Sequence, residues 1–162
     1  MAVTKVKLPY GRETVEVDIP AENLIGVYSP KDVPPVADVR AEVARALAAP
    51  IGARPLRELA AGAGKVVIVA DDNTRLTPTD KIIPVLLDEL NAAGVKDEQI
   101  TIIIALGTHR FMTDAEIAAK FGDEVVRRVK VKNHDYKNPA ELAELGTTAN
   151  GTYVAVNREA YE

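Results

Sequence analysis

Two short polar runs carry the side chains best suited to chemistry: Asp71-Asp72-Asn73-Thr74-Arg75 and Gly107-Thr108-His109-Arg110. A histidine has a pKa near working pH. The imidazole of His109 is therefore a candidate to take a proton from a substrate hydroxyl and return it. The guanidinium fork of Arg75 suits bidentate capture of a carboxylate or phosphate, and Arg110 offers the same chemistry one residue beyond His109. Asp71 and Asp72 leave three readings open: hard oxygen ligands for a divalent cation, hydrogen-bonding groups that orient a neighbour, or plain turn residues. Thr74 and Thr108 offer hydroxyls to a phosphate, or serve the turns. For His109 and Arg75 the bland alternatives are a strand-capping surface histidine and a surface ion pair.

Position favours the chemical reading. Val66-Val67-Ile68-Val69 precedes the first run and Ile102-Ile103-Ile104 the second. Such β-branched runs read as strands buried on both faces, as in a parallel sheet. If both strands share one parallel sheet, both polar runs emerge at its carboxyl edge, where open α/β sheets bind ligands. The second histidine, His134 in Asn133-His134-Asp135, reads as an exposed loop residue, since nothing local ties it to that edge.

The elements that must position these runs are legible in outline. Val3–Leu8 and Thr14–Ile19 alternate in polarity about Pro9-Tyr10-Gly11, the signal of a hairpin with a loose turn. Ser29–Pro35 holds three prolines and reads as an extended linker. Helices are expected over Val36–Ala48, Pro55–Ala61 and Asp80–Ala93, with Gly94 closing the third. Thr113 and Glu116 form a capping box for a fourth, which Gly122 ends. Strands are expected at Lys65–Ala70, Gln99–Ala105 and, as a sheet edge, Val125–Lys132, with a last β-like run at Thr152–Val156. This βαβ rhythm predicts an α/β fold: a Rossmann-like, doubly wound, mainly parallel sheet behind a short β-rich prelude, with residues 1–162 as a single domain.

Several function classes lack their motifs. No Gly-x-Gly-x-x-Gly follows a strand and no Gly-Lys-Ser/Thr triplet occurs, which disfavours nicotinamide and P-loop nucleotide enzymes. No Gly-x-Ser-x-Gly elbow is present, and the absence of cysteine removes thiol nucleophiles, disulfides and thiolate metal sites. A net charge of −4 and two Phe with no Trp argue against a nucleic-acid surface. No membrane-length apolar run and no signal-type N-terminus are present, so a cytoplasmic location is the expectation.

One resemblance gathers these features. Asp72-Asn73-Thr74-Arg75, Ala105-Leu106-Gly107-Thr108-His109-Arg110-Phe111-Met112-Thr113, Asn133-His134-Asp135 and Leu145-Gly146-Thr147-Thr148 together resemble, in order and spacing, the N-terminal domain of the nickel-dependent lactate racemase family. The resemblance implies a racemase or epimerase of 2-hydroxy acids, working by hydride transfer to and from a nickel-pincer nucleotide. It implies an acid/base role for His109, a carboxylate-binding role for Arg75, and support of the site or cofactor by Asp72 and Thr74. It also implies that the cofactor-attachment lysine, the nickel ligand and a second catalytic histidine belong to a C-terminal domain beyond residue 162. That domain would be this chain's partner, and the chain alone would be inactive. Leu76 and Phe111 stand where the motif often has proline, so the substrate need not be lactate. Two other readings remain open: a non-catalytic anion-binding domain, and a magnesium-dependent phosphoryl-transfer domain built on Asp71 and Asp72.

Overall fold

A computed structural model describes residues 2–162. The chain, expected as one domain, divides into two compact units, Met1–Pro35 and Val36–Glu162.

The first unit is the expected hairpin. Strands β1 (Val3–Tyr10) and β2 (Glu13–Pro20) pair antiparallel from Val3↔Pro20 to Tyr10↔Glu13. The turn is tight rather than loose. Only Gly11 and Arg12 lie between the last pair, and Gly11 takes φ 61°, a conformation that a residue without Cβ adopts freely. Lys5 crosses to Glu16 at 2.6 Å on an exposed face, a contact of small energetic weight.

The second unit carries the candidate site. Its helices and strands are α1 (Val39–Ala48), α2 (Leu56–Ala60), β3 (Val66–Ala70), α3 (Thr79–Ala92), β4 (Ile100–Ile104), α4 (Asp114–Phe121), α5 (Asp123–Arg128), β5 (Lys130–Asn133), β6 (Leu142–Thr147), β7 (Tyr153–Asn157) and α6 (Arg158–Tyr161). Strands β3, β4 and β5 form a parallel sheet in that order, with Ala70 opposite Ile104 and Ile104 opposite Asn133. All three strands therefore end at one edge.

The order runs in sequence without reversal, so the doubly wound expectation is not met: a sheet wound both ways must reverse its order at a switch point. Instead α3, α4 and α5 pack together on one face. Ile83, Leu87 and Leu90 of α3, with Ile117, Phe121 and Val125, close over Ile100, Ile102 and Ile104. The other face meets β7 and α6. There Val69 and Ile103 help line a cavity of about 500 Å³ with Val156, Ala160 and Tyr161.

Two expectations are corrected here. Residues 125–132 are not one strand: Val125 sits in helix α5 with its side chain in the core, and only Lys130–Asn133 pairs with β4. The apolar positions of that stretch serve a helix face first, a period that a short window does not separate from alternation. Strand β3 is not buried on both faces; it is an edge strand, and Val69 is 58% exposed. The antiparallel pair β6–β7 adds a strand, Leu142–Thr147, that its glycine obscured in the sequence. The capping box is as expected, with Thr113 Oγ1 accepting from Glu116 N–H and Glu116 accepting from Thr113 N–H. Among the described residues no helix is long and apolar enough to cross a membrane.

The two adjacent strands should respond differently to truncation. Ile102→Ala, at a fully buried position, should cost about 2–5 kcal/mol. Val69→Ala, at the exposed position, should cost under about 1 kcal/mol. Urea unfolding of the two variants checks the difference.

Candidate functional site

Both polar runs are turns at the carboxyl edge of the parallel sheet. The Arg75 N–H closes the first on the Asp72 carbonyl at 3.2 Å, and the His109 N–H closes the second on the Leu106 carbonyl at 3.0 Å. Gly107 takes φ 58° in the second turn, which only glycine does without strain. The sheet ladder runs one step past β4, from Ala105 N–H to the Ala70 carbonyl at 2.8 Å, so the two turns start from a shared rigid base.

At this base the structure joins Asp72 to His109. Asp72 Oδ2 lies 2.5 Å from His109 Nδ1. Asp72 Oδ1 accepts from both the N–H and the hydroxyl of Thr74, at 3.0 and 2.5 Å. Asp72 is only 4% exposed, so its charge depends on these donors. The Thr74 hydroxyl and the His109 ring hold its pKa down to about 2 despite the burial. An ionised Asp72 can only accept, so the proton at the contact belongs to His109 Nδ1. In the neutral ring Nε2 is then the free base. The ring itself is half exposed. A cavity of about 440 Å³ opens beside it, lined by Thr108–Phe111 and Asp135–Lys137.

The other expected residues lie close by in different roles. Arg75 stands exposed in the first turn, at the same sheet edge but not in the lining of the His109 cavity. Arg110 is spent on Glu116, with contacts of 2.6 and 2.9 Å. Asp71 does not pair with Asp72 as a cation site would require. Its Oδ2 accepts from the Thr77 hydroxyl at 2.5 Å, and its Oδ1 faces Lys120 Nζ at 3.0 Å in an ion pair without an aligned hydrogen bond. The two carboxylates thus serve separate partners, and among the described residues no group of three His, Cys, Asp or Glu is placed to hold a metal ion.

Three features escaped the sequence reading. Glu116 does more than cap its helix: it also receives Asn73 Nδ2 at 3.3 Å, tying the first turn to Arg110 of the second. The Lys120 side chain is buried, and its ammonium reaches the carbonyls of Arg75 and Thr77 at 2.9 and 3.1 Å. His134 is not a free loop residue. It follows β5 directly and pairs with Asn157 Nδ2 at 3.0 Å in the apolar cavity on the other sheet face. Asn157 Oδ1 accepts from Ala160 N–H, so its Nδ2 must donate, and His134 Nδ1 accepts. The available signal was the end of β5: a residue after a third parallel strand belongs to the same edge.

The lactate racemase N-terminal domain family matches residues 10–162. The chain belongs to that family. It is 33% identical to the lactate racemase of Thermoanaerobacterium thermosaccharolyticum over 99% of its own length and 38% of that enzyme's. It is 30% identical to the lactate racemase of Lactiplantibacillus plantarum over 97% of its length and 37% of the relative's. It therefore spans well under half of the curated relatives it matches. The solved lactate racemase apoprotein from T. thermosaccharolyticum superposes with a TM-score of 0.79 at 33% identity, covering 98% of this chain and 37% of that one. A crystal structure of a Thermotoga maritima protein gives 0.56 at 28% identity, over 74% and 30% of the two chains.

The depressed pKa of Asp72 has a signed consequence. Its folded value lies below its unfolded one, so its stabilising contribution is complete above about pH 4 and is lost as pH falls toward about 2. Asp72→Asn lacks that contribution. The gap in urea midpoint between the parent chain and Asp72→Asn should be full at pH 6 and close as pH drops through that window. A gap that stays constant from pH 6 to pH 2.5 counts against the assigned partners.

Proposed function

We propose that this chain is the substrate-side domain of a racemase or epimerase of 2-hydroxy acids, and that His109 is its acid/base residue toward the substrate hydroxyl. The observation that carries the reading is the buried, ionised Asp72 on His109 Nδ1, in a chain of the lactate racemase N-terminal family. Inverting the carbon that bears hydrogen and hydroxyl requires that hydrogen to leave and return on the other face. If it leaves as hydride, the hydroxyl must lose a proton for the carbonyl to form. His109 takes that proton at Nε2 and gives it back when the hydride returns. Asp72 keeps the proton on Nδ1 and favours the imidazolium formed during the step. Arg75, exposed on the neighbouring turn, grips the substrate carboxylate.

The nickel-pincer nucleotide expected from the resemblance would supply the hydride acceptor. This chain offers it little direct ligation. Asp72 spends both oxygens on Thr74 and His109, so we assign it to orienting the ring rather than to touching a cofactor. The exposed Thr74 keeps acceptor capacity on its hydroxyl for a bound group. Metal ligation and covalent attachment are assigned to the C-terminal part of a longer parent protein. Asp71 and Asp72 are held by different partners, Lys120 and His109, and do not converge on a magnesium ion.

Steady-state kinetics of the full-length parent test the roles. His109→Gln should lower kcat by about 10²–10⁴-fold with little change in KM, because a general base acts in the transition state. Arg75→Ala should raise KM as well, since a carboxylate fork serves ground and transition states alike. A kcat near wild type in His109→Gln overturns the acid/base role and leaves an anion-binding domain.

The 162-residue chain, purified without other protein, should fold but not racemise lactate. Circular dichroism and a chiral lactate assay check the two halves of that statement. Racemisation by the chain alone refutes the division of labour between domains.

A further inference from the structure

Lys120 has no part in the proton or carboxylate chemistry above, yet its side chain is 7% exposed, a costly place for an ammonium. Its ammonium donates to the Arg75 carbonyl at 2.9 Å and the Thr77 carbonyl at 3.1 Å, and faces Asp71 Oδ1 at 3.0 Å as an ion pair. All three belong to the segment that leaves β3 and carries Arg75. The same helix turn holds that segment a second time, through the Thr79 hydroxyl on the Lys120 carbonyl at 2.7 Å. Its other ties are the turn that Thr74 and Arg75 close on Asp72, Asn73 on Glu116 and the Thr77 hydroxyl on Asp71, while residues 73–78 are exposed throughout and Leu76 is wholly so.

We propose that Lys120 is a positioning residue, holding the Asp71–Thr77 segment from beneath so that Arg75 meets the substrate carboxylate in one place. The proposal rests on the carboxylate-binding role assigned to Arg75. Asp71 is the counter-charge that makes a buried ammonium tolerable, and the two carbonyls are what the ammonium is there to hold. Asp72 and His109 are joined by contacts in which Lys120 takes no part. Loss of the clamp should therefore loosen substrate binding more than proton transfer.

Lys120→Met alone strands Asp71 without its counter-charge and risks unfolding. The paired variant Asp71→Asn/Lys120→Met removes both charges and keeps an acceptor for Thr77. In the full-length parent that variant should raise KM for lactate by about 10-fold or more, while kcat stays within about 3-fold. A second readout does not depend on catalysis. Lys120 holds the carbonyl of the Arg75–Leu76 bond, which is a trypsin site. Cleavage there, followed by mass spectrometry under native conditions, should speed up about five-fold or more, while cleavage after Arg12 in the hairpin unit is unchanged. Unchanged cleavage at Arg75 overturns the clamp. Faster cleavage with an unchanged KM overturns its role in binding, provided that Arg75→Ala raises KM. If Arg75→Ala itself leaves KM unchanged, the carboxylate assignment falls first and the proposal with it.

Discussion

Everything at the candidate site depends on the parallel pairing of β3 with β4. Ala70 lies opposite Ile104, and the next N–H, that of Ala105, still bonds to the Ala70 carbonyl. Both chains therefore leave the sheet at the same height and on the same edge. An antiparallel pairing of the same strands would send the Asp72 and His109 turns to opposite ends of the molecule. The pairing is held by burial more than by the ladder. Ile100, Ile102 and Ile104 are 0–1% exposed against α3, α4 and α5, and each contributes about 1.5–3 kcal/mol of transfer energy. The core exists on one face of the sheet, and the candidate site stands at its end.

That base makes a buried carboxylate possible. Moving Asp72 out of water costs free energy that flexible donors would not recover. Here the donors are pre-placed. Thr74 is held by the turn that Arg75 closes on Asp72, and His109 by the turn that begins at Leu106. The short side chain of Asn133, at the end of β5, clamps the far side of the second turn by bonding both the N–H and the carbonyl of Met112. Glu116 links Asn73 to Arg110 across the two turns. An imidazole oriented this way keeps one tautomer, which a surface histidine does not, and that difference separates an acid/base group from a strand cap.

The elements were legible where local signals agree with burial. The capping box at Thr113, the glycine after α4 and the apolar run of β4 each state one thing, and the structure repeats it. Legibility failed where one stretch serves two masters. Val125 and Val129 pack into the helical core while Val131 lies in strand β5, so the stretch reads as a single alternation. The winding of the sheet was also hidden. Strand order is a matter of which faces find partners over long separations, and the β6–β7 pair with α6 takes the place that a second helical layer was expected to fill.

At the site, the residues proposed to do chemistry were easier to read than the residues that hold them. Asp72, Thr74 and His109 announce themselves by type and by following strands. Lys120 and Glu116 look like ordinary helix-surface charges, spaced four apart on α4 with one capping its start. Nothing local marks Lys120 as buried, because what buries it is the Asp71–Thr77 segment, 43 to 49 residues earlier in the chain. Its burial follows from topology. Helix α4 packs beside α3, and its end meets the loop that left β3 through Lys120. A charged residue near the end of the next helix is therefore placed against the first strand-end loop. In a parallel α/β unit, the position to inspect for a hidden supporting charge is the helix that follows the neighbouring strand.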